Sequence, residues 1–125
     1  MDGFKVTIKE CTRELSARDK IRLKDTSNAI KLDTAVSADE RVMITPVAYA
    51  ILSIHNEKSE NKDYENIVIE DKNGDKYVTG SPSFTASFFD IWDEMDGTGE
   101  EFSIEVYKMD SKNYKGKQFM TCSIL

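Results

Sequence analysis

The sequence predicts one small domain of the all-β or α+β class: a five-stranded Greek-key barrel over residues 42–125, with a helix between its third and fourth strands, and an N-terminal extension over 1–41. Three observations predict it. From Val42 onward, apolar runs rich in Val, Ile, Tyr and Phe recur at regular intervals between turn signals. One stretch alone, from Pro82 to Met95, carries a long apolar stripe at helical spacing. The 125 residues, 39% hydrophobic and 32% charged, are too few for two full domains but enough to bury a core without a metal or a disulfide.

In the extension, Phe4, Val6 and Ile8 alternate with Lys5, Thr7 and Lys9, the period of a half-buried strand. Ser16 is a hydroxyl cap for a short helix over Ala17 to Lys24, with Ile21 and Leu15 expected to turn inward. Ala29 to Val36 is an apolar connector of ambiguous type. Val42 to Asn56 then reads as one long strand, with Pro46 permitting an edge or a bulge near its start. After the polar loop Glu57 to Asp63, Tyr64 to Glu70 is a second strand. Asn73-Gly74 suits a tight type I′ hairpin turn, and Lys76 to Gly80 is a third strand. Ser81-Pro82 combines a capping hydroxyl with a proline suited to the first helical turn. Phe84, Phe88, Ile91, Trp92 and Met95 follow on one helical face that Gly97 ends. Phe102 to Val106 or Tyr107 is a fourth strand, and Phe119 to Leu125, expected to be buried, is a fifth.

Strand, strand, hairpin, strand, helix, strand, strand is the element order of the OB-fold; a different small barrel or an α+β meander shares it. In OB barrels, ligands lie on the face of the second and third strands and on the loops joining strands 1–2 and 4–5. The first loop contributes Lys62 and, at its end, Tyr64; the third strand contributes Tyr77. The second loop and its flanks hold Tyr107, Lys108, Lys112, Tyr114, Lys115 and Lys117 against Asp110 alone. Lysines neutralise phosphates and flat rings stack on bases without regard to sequence. A solvated hairpin tip accounts for the same lysines. The chain as a whole is acidic, at −6 and pI ≈ 4.8, with Asp90, Asp93, Glu94, Asp96, Glu100 and Glu101 gathered on and after the predicted helix. This separation leaves one basic face on a negative protein.

Other chemistries find little. His55 is the one histidine, and Cys11 and Cys122 stand far apart, so zinc is not expected and the cysteines read as two half-buried thiols. Glu70, Asp71 and Asp75 with two lysines suggest a metal-dependent nuclease, but a solvated turn explains them better. Asp71 to Asp75 lacks the glycine and glutamate positions of a calcium loop. No phosphate-cradling glycine motif is present, so no cofactor, no metal and no enzymatic activity are expected. No apolar run approaches the ~20 residues that span a bilayer. The N-terminus lacks the basic and apolar regions of a secretory leader, which makes the cytoplasm the expected location.

The segments ITPVAYAILSIHNE, IVIEDKNGDKYVTG, SPSFTASFFDIWDEM and SKNYKGKQFMTCSIL, in that order and spacing, resemble the OB-fold single-stranded DNA-binding proteins, most closely the small bacteriophage type. The resemblance covers residues 42–125. It implies sequence-independent coating of single-stranded DNA in replication, recombination or repair, in the host cytoplasm, alongside replication or recombination proteins. The buried-looking C-terminus departs from the acidic tail common in such proteins, and Trp92 sits on the helix stripe, where it reads as core. A protein-interaction module, or an inhibitor whose acidic helix mimics DNA, is the alternative expectation. The unpaired N-terminal strand and the apolar C-terminus leave homodimerisation open.

Overall fold

The computed structural model describes residues 3–111 and 117–125. These form a mixed α+β arrangement of eight strands in two sheets with three helices. The larger sheet contains β1 (Phe4–Cys11), β2 (Ile30–Lys31), β4 (Pro46–Asn56), β5 (Asp63–Asp71) and β6 (Lys76–Thr79), in the spatial order β1-β4-β5-β6-β2. The smaller contains β3 (Val42–Ile44), β7 (Ile104–Asp110) and β8 (Gln118–Ile124), in the order β3-β7-β8. The helices are α1 (Ala17–Lys24), the single-turn α2 (Leu32–Ala35) and α3 (Pro82–Met95). None of the helices among the described residues is long and apolar enough to cross a membrane.

The expected five-stranded barrel does not close. The predicted long first strand breaks at Thr45, sending β3 to the small sheet and β4 to the large one. No ladder among the described residues joins β6 to β8. The outer edge of β6 pairs instead, in parallel, with β2, which occupies part of the segment expected only as a connector. The edge of β8 is covered by α3: the Ser83 hydroxyl donates to the Met120 carbonyl at 2.7 Å, and Ser87 Oγ lies 2.7 Å from Thr121 Oγ1. A covered edge offers no template for pairing with another chain.

Local chemistry explains the elements. The α1 cap is a full capping box, in which Asp19 N donates to Ser16 Oγ (3.1 Å) and Ser16 N donates back to Asp19 Oδ2 (3.2 Å). Leu23 is its buried residue, while Ile21, expected to turn inward, is 69% exposed. Ser81 Oγ accepts from Phe84 N at the start of α3, as its residue chemistry predicts. The β5–β6 turn is not type I′, which needs positive φ at both central residues, and here only Gly74 (φ +96°) has it. Gly74 N donates to Asp71 O, and Asp71 N to Asp75 O, the pattern of a three-residue loop closed by a left-handed glycine.

Pleating sorts the large sheet into two faces. Tyr49, Ile69 and Tyr77 are aligned across three strands, with Ile51 and Ile67 in the next row. They face a core shared with Phe84 and Phe88 of α3 and with Ile104, Val106, Met120 and Cys122. Burial pushes the Cys122 thiol up to about 12, leaving it an inert core group. Ala50, Leu52, Ile54, Val68 and Val78 face the other way and are covered in part by Leu23, Val6 and Ile8 of the extension. The C-terminal strand is only half buried: Met120 and Cys122 point inward while Phe119, Ile124 and Leu125 are exposed.

Candidate nucleic-acid interface

The outward face of the large sheet is covered by α1 at one end and left open at the other. There a groove of about 760 Å³ runs over Val6, Leu52, Ile54 and Val78, with Phe4, Tyr64 and Asn66 along it. Its opposite wall is the end of α1 and the turn that follows, from Lys24 to Ser27, together with Lys31 and Asp33. Val6, Ile54 and Tyr64 form one cross-strand row, so the Tyr64 ring stands on the pleat beside aliphatic neighbours. Tyr64 and Gly80 also line a second hollow of about 580 Å³ with Pro82 and Phe89, which extends the groove past the end of β6. A Cβ at Gly80 would meet Asn66 Oδ1 at 2.7 Å, so the side chain of Asn66 lies directly over this glycine.

Charge along the wall is arranged unevenly. The Asp25 carboxylate accepts from the amide and hydroxyl of Ser27 (3.1 and 2.6 Å), which hold it below the usual carboxylate range. The Asp33 carboxylate accepts from the Thr79 hydroxyl at 3.0 and 3.1 Å. The ammonium groups of Lys24 and Lys31 have no hydrogen bond or ion pair with any described residue. Hydrogen bonds from neutral donors do not cancel a carboxylate's charge, so the lining holds Asp25 and Asp33 as well as Lys24 and Lys31, the two lysines having no partner among the described residues.

The structure sorts the residues singled out in the sequence. Tyr64 is in the groove. Lys108 reaches its wall, donating to the Asp33 carbonyl at 3.1 Å, and so ties the base of the β7–β8 hairpin to that side. Tyr77 is not a platform: it is 7% exposed and packed in the interior core, because the register places it beside Ile69 and Tyr49. Burial and the nearby Asp71 and Asp75 raise its phenol above the ordinary value. Tyr107 belongs to the outer face of the small sheet, with the Arg41 guanidinium 4.8 Å from its ring centre and its hydroxyl 2.6 Å from Ser123 Oγ. One face of that ring is already taken by a cation. Lys62 pairs with Glu57 at 3.3 Å, and Lys117 is exposed. Lys112, Tyr114 and Lys115 lie outside the described residues.

No family model, curated protein or solved structure was found to match this chain.

At the foot of β4, His55 clasps the β4–β5 loop. Its Nδ1 lies 2.7 Å from Asp63 Oδ1 and its Nε2 2.6 Å from Glu57 Oε1, and Glu57 N donates to the Gly3 carbonyl at 2.6 Å. Lys62 on the loop and Lys5, the β1 partner of His55, are the nearby cations. Hydrogen bonding to Asp63 first, and then to Glu57, raises the histidine above its ordinary value. A raised value means that the stabilisation is fully present below the unfolded value of about 6.5 and lost as pH rises through the folded one. Proton NMR of this single imidazole is expected to show a midpoint above 6.5, and the loop amides to change with it. A midpoint at or below 6.5 contradicts the clasp.

Sequence reasoning missed Phe4, Lys24, Lys31 and Asn66. Parity carried the signal for two of them: Asn66 shares the outward phase of Tyr64 and Val68, and Phe4 that of Val6. Nothing in the sequence pointed to the two lysines, which meet the sheet only because the extension folds back over it.

Proposed function

We propose that this protein binds single-stranded DNA without sequence preference, along the open groove of the outer sheet face. The observation that carries the reading is the placement of the half-buried Tyr64 ring in one groove with exposed Phe4 and with the ammonium groups of Lys24 and Lys31, which have no partner among the described residues. Rings that stack on bases and cations that meet phosphates are the two components of sequence-tolerant strand binding. Strand order supports the same reading. Followed across both sheets, β6-β5-β4 continues through Thr45 into β3-β7-β8, the order of an OB barrel left open between its third and fifth strands. In that fold, oligonucleotides lie on the second and third strands, which β5 and β6 represent. Coating single strands during replication, recombination or repair is the role such a groove suits, and the chemistry needs no catalytic group.

Anisotropy of a labelled oligothymidylate titrated with the protein tests this. Lys24, Lys31 and Lys108, with roughly 0.7 counterions released per phosphate met, give an affinity falling as about the second power of salt concentration. Saturable binding at low salt with that slope is the expected result. Absence of binding at low salt overturns the proposal.

A further inference from the structure

A second surface, on the far end of α3, has the opposite chemistry. The register of β4 against β5 shifts between Pro46 and Ala48, so Val47 is the extra residue of a bulge. It stands 55% exposed, a β-branched side chain turned to solvent. Beside it, Trp92, Met95 and Phe102 complete the floor of a notch of about 330 Å³. Its rim is acidic: Asp96, Glu100 and Glu101 line it, with exposed Asp93 and Glu94 on the adjoining helix turn. Gly97 and Gly99, at φ +87° and +74°, turn the chain around that rim.

The charges are placed against local stability. The last turn of a helix carries the negative end of its dipole and favours cations, yet α3 has no basic residue there, and Asp93, Glu94 and the cap residue Asp96 occupy it. Among the described residues, the one ion pair made by this group is Lys72 to Glu101 at 2.6 Å, from the β5–β6 turn, and it shows that the rim accepts an ammonium group. Local rules are broken in this way at functional or strained sites.

From this complementarity we propose that the notch docks a basic polypeptide segment of a partner protein, one bulky aliphatic side chain entering between Val47, Trp92 and Phe102 while flanking lysines or arginines meet Asp96, Glu100 and Glu101. This surface is separate from the groove and does not depend on DNA binding. Since Trp92 is the one tryptophan of the chain, its emission reports occupancy directly.

The probe is the capped heptapeptide KKLKKLK, added to the full chain at low salt. A saturable change in Trp92 emission is expected, weakened roughly tenfold or more by the triple variant Asp96→Asn, Glu100→Gln, Glu101→Gln and by Val47→Ser at its exposed position. The same peptide with glycine in place of both leucines is expected to lose saturation. No saturable change, equal binding by the glycine peptide, or equal binding by Val47→Ser each overturns the proposal. Sedimentation of the protein alone supplies the remaining arm: a monomer is expected, and a salt-sensitive self-association that the peptide does not disperse assigns the notch to a second copy and overturns it as well.

Discussion

Phe88→Ala is expected to lower the unfolding free energy by about 3–5 kcal/mol, the range for removing a buried aromatic ring from a core that cannot collapse onto the space. Phe88 is wholly buried and central to an aromatic cluster. Its ring meets Tyr49 edge-on at 5.6 Å, stacks on Phe84 at 6.0 Å and lies 5.8 Å from Trp92. These contacts join α3 to β4, and α3 in turn covers the edge of β8. One ring thus helps to hold both sheets to the helix, where no strand ladder among the described residues joins β6 to β8. Domains have total stabilities of about 5–15 kcal/mol, so the loss is a large share of the whole. Urea denaturation followed by far-UV circular dichroism measures it. A loss under about 1 kcal/mol would mean that α3 is not the element closing the fold.

Most of the individual elements were legible in the sequence because local signals agreed with tertiary ones. Ser16 and Ser81 are capping residues with helices directly after them, and α1 and α3 follow. Alternation in Phe4 to Ile8 and in Tyr64 to Glu70 gave β1 and β5. What escaped was long-range. Thr45 looks like any strand residue, and only pairing of β3 with β7 and of β4 with β5 shows that the chain changes sheets there. The two-residue β2 has no pattern of its own; it exists because β6 has an edge to cover.

The candidate site was half legible for a related reason. Tyr77 and Val78 are both apolar, so alternation could not say which points inward, and the choice is made by register with Ile69 and Val68. The apolar run Ile67-Val68-Ile69 leaves the same ambiguity for Tyr64, which its register beside Ile54 resolves. The lysine-rich segment stood out by composition, yet its described contact to the groove is Lys108 on Asp33, and Lys62, on the separate β4–β5 loop, is paired with Glu57. The groove lysines without a partner among the described residues, Lys24 and Lys31, come from the extension.

Loss of the Tyr64 ring is the second large effect expected. A stacking ring is worth about 1–3 kcal/mol per base, so Tyr64→Ala is expected to weaken oligothymidylate binding roughly 5- to 150-fold. Tyr64 is only half buried, at the margin of the outer cluster, and the thermal midpoint of the variant is expected to stay close to that of the parent chain. Tyr64→Phe keeps the stacking surface and is expected to bind nearly as well as tyrosine. Tyr107 supplies the internal comparison, because its ring lies on the other sheet beneath Arg41; Tyr107→Ala is expected to leave affinity within about twofold. The affinities of Tyr64→Ala and Tyr107→Ala for the same oligothymidylate, in the same buffer, therefore decide whether the outer groove is where a strand lies. A large loss confined to Tyr64→Ala is the predicted outcome. Unchanged binding by Tyr64→Ala, or an equal loss in Tyr107→Ala, would contradict it.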